Sequence, residues 1–180
     1  EHLGGHLNKC HTDRGTLAYL RENFDVMSMV DVGCSTGSMV SIAQMRGIDA
    51  IGIDGDEFVE KECPESIIIH DFTLGKVDLD KTFDLGWSVE FLEHVEEQYM
   101  DNYMDVFQKC RYVMCTAAPP GTPGHHHVNC QPQEYWHKKF DEYGFEYDDV
   151  TTQYIRNHVS TMRKPFIQTN GMFYRKKPNV

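Results

Sequence analysis

No apolar run in this 180-residue sequence approaches the about 18 residues needed to cross a bilayer, and Glu1-His2-Leu3-Gly4-Gly5 lacks the charged-then-apolar pattern of a secretion signal. A soluble, cytoplasmic protein with no membrane partner is the expectation, and the start at Glu1 rather than Met suggests that a residue or short segment has been trimmed. Repeats, low-complexity tracts and Gly/Ser linkers are absent too, which excludes a solenoid and favours one continuous unit. Positive charge is scarce. Against 28 Asp and Glu stand 17 Lys and Arg, a net charge of −11 with the ten His neutral. That balance lacks the broad basic field that dominates nonspecific nucleic-acid affinity, so a small or neutral partner is favoured. The six cysteines, Cys10, Cys34, Cys63, Cys110, Cys115 and Cys130, include no C-x-x-C pair, so neither a zinc ribbon nor a thioredoxin motif is present. Reduced, mostly packed thiols are expected.

What the chain does have is alternation of strand and helix. After a leading helix over Thr16 to Phe24, with Thr12 or Asp13 as cap, Met29-Val30-Asp31-Val32 is a short strand running into Gly33. A helix from Met39 to Met45 stops at Gly47. Ala50 to Ile53 is a second strand ending at Asp54, and Ser66 to Ile69 is a third ending at Asp71, with a short helical stretch from Glu57 between them. Phe83 to Ser88, a helix over about 98–109, and Arg111 to Cys115 continue the period. A Pro/Gly/His loop then runs from Ala118 to Cys130, followed by a helix over Glu134 to Tyr143 and two closing strands, Phe145 to Thr152 and Gly171 to Arg175. Trp136, Phe140 and Tyr143 recur at helical spacing and read as core. Such alternation argues for an α/β fold with a parallel sheet and right-handed crossovers. Residues 1–27 form an arm and leading helix, a possible lid, and residues 28–180 a single domain.

The strongest chemical signal is Asp31-Val32-Gly33-Cys34-Ser35-Thr36-Gly37, where a strand breaks into a turn with two glycines. Glycine lets backbone approach a ligand closely and takes positive φ without penalty. A tight turn alone would also ask for glycine. Asp54, 21 residues after Gly33 and at the end of the second strand, stands where a carboxylate can accept hydrogen bonds from ribose hydroxyls. Together they describe a nucleoside-cofactor site.

At this point the sequence resembles the class I methyltransferases that use S-adenosylmethionine, over about Met29 to Arg175. Phe83-Asp84-Leu85-Gly86-Trp87-Ser88-Val89-Glu90-Phe91-Leu92-Glu93-His94-Val95 looks like that family's fourth strand and the turn after it. The resemblance implies a three-layer Rossmann-like sandwich, a mostly parallel twisted sheet of about seven strands with an antiparallel edge hairpin. It implies cofactor contacts from Asp31, Gly33, Cys34, Ser35 and Gly37 beneath the methionine part, Asp54 at the ribose, Asp71-Phe72 at the adenine, and Ser88. The cofactor would be S-adenosylmethionine and the product S-adenosylhomocysteine. The glycine loop departs from the common pattern in carrying Ser35 or Thr36 where another Gly is usual, and the chain is short for the class, so acceptor recognition falls to the N-terminal arm and the loops above the sheet.

Those loops are rich in histidine. In extended backbone His125 and His127 share a face and His126 does not. A metal site on the His125–His127 run, a hydrogen-bonded loop histidine and a base or substrate contact are the alternatives; no metal is expected, and His127, with Asn129 beside it, is the first candidate for a base. His94 and Glu90 come behind it. His2, His6, Cys10 and His11 cluster in the arm, which suits a lid over the cofactor better than a zinc site. Methyl transfer is an in-line displacement on an activated carbon, so alignment does much of the work, at about 7–11 kcal/mol of barrier, and a high-pKa nucleophile also needs a base. The expected acceptor is an O or N nucleophile of a small molecule, sugar or carrier-linked intermediate. The rivals are a cofactor-binding module without turnover, a nucleotide-dependent oxidoreductase, disfavoured because G-x-G-x-x-G is absent, and a nucleic-acid methyltransferase using Arg156, Arg163, Lys164, Arg175, Lys176 and Lys177.

Overall fold

Short apolar runs that break at glycine or an acidic residue form the strands β1 (Ser28–Val32), β2 (Asp49–Asp54), β3 (Ile67–Ile69), β4 (Phe83–Ser88), β5 (Cys110–Cys115), β6 (Phe145–Tyr147) and β7 (Met172–Lys176). The computed structural model describes residues 2–3 and 9–178. The strands make one sheet in the order β3-β2-β1-β4-β5-β7-β6. β1 to β5 run parallel, and β7 lies antiparallel between β5 and β6. The expected α/β sandwich with an antiparallel edge is therefore present.

Period-two alternation divides the sheet's side chains between two cores. Val30, Val32, Val113, Met172 and Tyr174 face one side, covered by α3 (Met100–Phe107) and α4 (Gln133–Glu142) through Tyr103, Phe107, Trp136 and Phe140. Met29, Leu85, Trp87, Met114 and Phe173 face the other, covered by α1 (Arg14–Phe24) and α2 (Ser38–Met45) through Leu17, Leu20, Met39 and Val40. Tyr143, expected in the core, is only half-buried, and its hydroxyl donates to Asp101. Asp13 caps α1 through Thr16 N (3.0 Å) and also accepts from Thr161 N (3.0 Å), so one buried carboxylate ties the leading helix to the far end of the chain. Among the described residues no helix is long and apolar enough to cross a membrane.

Two elements differ from expectation. No α-helix starts at Glu57: Asp56 accepts from Phe58 N (2.9 Å), and Lys61 Nζ donates to the carbonyls of Ser35 (3.1 Å) and Asp56 (2.8 Å), closing a turn instead. Only a 3-10 turn, Pro64–Ser66, precedes β3. The strand expected over Phe145 to Thr152 ends at Tyr147, because Asp148 accepts from Thr151 N (2.9 Å) and Thr151 Oγ1 (2.7 Å) and so starts α5 (Asp149–Tyr154). The β6–β7 pair is thus joined through α5, a π-helical turn over Ile155–Val159, and α6 (Phe166–Asn170) rather than a tight turn.

The strand order reverses between β1 and β4. In open α/β sheets the crevice outside the carboxyl ends at such a point is where ligands sit.

Candidate active site

A cavity of about 270 Å³ opens at that point. Its floor is the turn after β1. Gly33 (φ +78) and Cys34 both donate to the Ile53 carbonyl, at 2.8 and 3.1 Å, holding the turn against the end of β2. A Cβ at Gly33 would lie 2.5 Å from the Phe91 ring, so only glycine fits. Ser35, also left-handed at φ +51, donates its backbone N–H to Asp54 Oδ2 (2.7 Å), while Asp56 N donates to Oδ1 (2.9 Å). The Asp54 carboxylate is thereby aimed and nearly buried, with lone pairs left over on both oxygens.

Asp31 lines the cavity from β1. Burial, then the Asp54 charge, raises its pKa well above the carboxylate range. Asp71, after β3, is pushed up by burial, but hydrogen bonds from Thr73 N (2.8 Å), His2 Nε2 (2.6 Å) and Thr73 Oγ1 (2.8 Å) outweigh that and leave its pKa low. Phe72 is buried beside it, with Phe91 5.8 Å and Tyr103 6.3 Å away, ring to ring. Three other expected residues are off the cavity wall. Cys34 packs its sulfur against Gly52, Gly37 caps α2, and Ser88 Oγ donates to the Val32 carbonyl (2.9 Å), tying β4 to β1.

The opposite wall comes from the turn after β4 and the loop after β5. Glu90 stands at φ +56, its N–H donating to Thr116 Oγ1 (2.8 Å), which in turn donates to Glu90 Oε1 (3.0 Å). Burial raises the Glu90 pKa. Glu93 is fully buried, and neither of its oxygens has a hydrogen-bond partner. Burial and the neighbouring Glu90 raise its pKa, although the Glu93 and Ala118 amides lie near enough to favour ionisation in part. Burial and the nearby His127 lower the His94 pKa to about 4, so its imidazole is neutral at pH 7. The His127 ring meets His94 edge-on at 4.9 Å, with Nδ1 3.0 Å from the Thr122 carbonyl. His125 and His127 both face the cavity; His126, at φ +46, turns away toward Glu96 (3.6 Å). Asn129 donates its backbone N–H to the Glu93 carbonyl (3.0 Å). Three of the four non-glycine residues with positive φ among those described, Ser35, Glu90 and His126, belong to these loops, where strain gathers at ligand sites.

The arm supplies the roof. Leu3 lies over Gly55, Ser35 Oγ donates to the Lys9 carbonyl (3.0 Å), and Cys10 and His11 also line the cavity; burial pushes the Cys10 thiol up to about 12. His6 is outside the described residues. Sequence reading missed His70, Thr73 and Trp87 as members of the wall; Glu93, in the Glu-x-x-Glu-His run, lies buried behind it. Of the C-terminal basic residues, Lys164 lies near enough to His11 and Glu90 to act on their charges, whereas Arg175, Lys176 and Lys177 lie elsewhere. Arg175 sits beside Tyr112 at the opposite end of the strands and pairs with Asp148 (2.6 Å), and Lys177 pairs with Asp141 (2.6 Å).

A family described as a methyltransferase domain matches residues 30–115. No curated protein matches the chain. Among solved structures, the sugar N-methyltransferase of a Streptoalloteichus species is similar with a TM-score of 0.65 at 12% identity, over 90% of this chain and 85% of that one. Magnesium protoporphyrin IX methyltransferase of Synechocystis, with bound SAH, gives 0.62 at 15% identity, over 91% and 80%. The Burkholderia thailandensis 1,6-didemethyltoxoflavin-N1-methyltransferase, with 1,6-didemethyltoxoflavin and S-adenosylhomocysteine bound, gives 0.61 at 13%, over 92% and 78%. Identities this low speak for the fold; the family match and the strand order carry the rest. The fold is that of the class I, Rossmann-like S-adenosylmethionine-dependent methyltransferases, and residues 30–115, just under half of the chain, match the methyltransferase-domain family.

Proposed function

We propose that the cavity transfers the methyl group of S-adenosylmethionine to an oxygen or nitrogen of a small molecule, sugar or carrier-linked intermediate. The observation that carries this is the two-ended cavity, with Gly33, Asp54 and Asp71-Phe72 on one side and Glu90, His94 and His127 on the other. The first set suits the cofactor. Gly33 admits close backbone approach, Asp54 has free lone pairs for ribose hydroxyls, Phe72 offers a ring beside the acid of Asp71, and Asp31 is an acid for cationic groups. When bound, that cofactor supplies an electrophilic methyl whose bond to sulfur breaks, the electron pair staying on sulfur, as the bond to the acceptor forms. The chain's own work is to align the nucleophile, exclude water and take up its proton.

The second set suits that work. His94 is neutral at pH 7, and the Thr122 carbonyl holds a proton on His127 Nδ1, leaving the Nε2 lone pair free to take a proton or bind a cation. Small acceptors are favoured by the net charge of −11 and by the placement of Arg175, Lys176 and Lys177 at the far end of the strands, away from the cavity. The similar solved structures of a sugar N-methyltransferase and a 1,6-didemethyltoxoflavin-N1-methyltransferase are consistent with this. The arm is a lid. With Leu3 and His2 in place the cavity is smaller than the about 300–1,000 Å³ usual for ligand pockets, so these two residues give way to admit cofactor and acceptor together. The test is transfer of labelled methyl from S-adenosylmethionine to a panel of hydroxyl, amine and carboxylate metabolites, with an RNA and a DNA oligonucleotide alongside. Labelling of a small acceptor supports the reading; labelling of the oligonucleotides alone overturns it.

A further inference from the structure

We propose that Glu93, His94 and His127 form a binding site for one divalent cation of the first transition row, at the acceptor end of the cavity. The inference rests on the reading of that end given above and deepens it.

One ligand atom from each of the three side chains lies within 4.8 Å of the other two. Two imidazoles and one carboxylate are a ligand set that suits such cations, and three protein ligands leave coordination positions open to a substrate. Bonds of about 2.0–2.2 Å place any two ligand atoms at most about 4.4 Å apart, so binding draws the cluster in by a few tenths of an ångström. Glu93 gives an independent pointer. Its carboxylate is fully buried, aimed into the cluster, and neither oxygen has a hydrogen-bond partner. A buried carboxylate stays ionised only where it is paired or coordinates a metal, and otherwise it holds a proton.

The surroundings hold the ligands in place. The Glu93 carbonyl accepts from Val128 N and Asn129 N, both at 3.0 Å, clamping the loop after β5 onto the turn after β4. The Thr122 carbonyl fixes the His127 ring from behind, the outer contact that orients metal-bound histidine. Gly124 makes room for that ring: a Cβ there would lie 2.2 Å from His127 Nε2. A cation at this point would lower the pKa of an acceptor hydroxyl brought to it, with Glu90 beside it to take the proton, and His127 would act as a ligand rather than as a free base.

The competing account is a proton shared between the Glu90 and Glu93 carboxyls, which would satisfy the buried acid with no metal. The full chain, stripped with a chelator, is titrated with CoCl₂ while the visible absorption of bound Co²⁺ is followed; S-adenosylhomocysteine binding is measured calorimetrically on the same samples. The expected result is one Co²⁺ per chain, weakened at least about tenfold in Glu93→Gln and in His127→Gln, with S-adenosylhomocysteine affinity within about twofold of the parent. Absence of stoichiometric Co²⁺ binding in protein that binds S-adenosylhomocysteine overturns the cation site and leaves the cofactor reading standing. Binding unchanged in both variants overturns it too. Co²⁺ binding lost in both variants, in protein that fails to bind S-adenosylhomocysteine, supports the cation site and removes the cofactor reading instead.

Discussion

Gly33 is the residue on which the two ends of the cavity meet, and Gly33→Ala tests that directly. At φ +78 an alanine incurs about 1–2 kcal/mol for the left-handed conformation. Its Cβ would also lie 2.5 Å from Phe91 Cδ2 and 2.8 Å from Phe91 Cβ and Cγ. Phe91 cannot swing freely, because its ring packs 5.8 Å from Phe72 and 5.5 Å from Tyr103, so relief of the clash is overpacking worth about 1–3 kcal/mol. The sum is about 2–5 kcal/mol, or a Tm lower by about 4–20 °C in a chain of this length. Gly47→Ala is the control. Gly47 has nearly the same φ, +73, and nothing within 4 Å of an added Cβ, so it incurs the first cost alone. Urea and thermal unfolding of both variants isolate the contact as the difference, about 1–3 kcal/mol. Phe91 follows Glu90 in the chain, so S-adenosylhomocysteine binding should also weaken in Gly33→Ala and not in Gly47→Ala. Equal destabilisation of the two variants would refute the packing of the β1 turn on the β4 turn.

Other outcomes follow from the same geometry. Asp31 holds its proton in the folded protein well above the usual carboxylate range, and a cationic cofactor needs it ionised, so S-adenosylmethionine affinity should rise with pH and binding should release a proton. Calorimetry in buffers of different ionisation enthalpy reads this, and Asp31→Asn should flatten it. The raised Glu93 pKa means the metal-free protein loses stability as pH climbs from the ordinary carboxylate range through the folded value; Glu93→Gln removes that slope, so the variant should melt no lower than the parent at pH 8. A lower Tm there would contradict an unpartnered carboxylate. His127→Ala should slow turnover by about 10²–10⁴-fold while leaving S-adenosylhomocysteine affinity nearly unchanged, read by initial rates and calorimetry. Equal turnover would take His127 out of the chemistry.

The sheet was legible because parallel strands are short apolar runs that end at glycine or an acid, as at Val32-Gly33 and Ile53-Asp54, and such signals are local. Val150 and Thr152 misled because β-branched residues favour strands, whereas the Asp148 cap and the bond from Phe173 N to Thr152 Oγ1 (2.9 Å) decide for helix. Asp54 could be placed by spacing alone, since it ends the strand next to the glycine turn. The three-group cluster could not: Glu93 and His94 come from one loop and His127 from another, and that the Glu93 carboxylate lies buried without a partner is a property of packing. The His125–His127 run contributes only His127 to that cluster, so its own spacing carries no signal of it. Ser88 and Gly37 fall next to the cofactor turn in sequence, yet strand pairing and helix capping take up their polar groups.

The measurement that tests the account most directly is calorimetric titration of the protein with S-adenosylhomocysteine, beside Asp54→Ala. Asp54 accepts from two backbone amides and keeps lone pairs for a ribose. A hydrogen bond to a charged group is worth about 1.5–3 kcal/mol, so the account predicts one molecule bound per chain, with affinity falling about 10–150-fold in the variant. A folded protein that binds no S-adenosylhomocysteine, or an Asp54→Ala protein that binds it as tightly as the parent, would contradict the cofactor site described here.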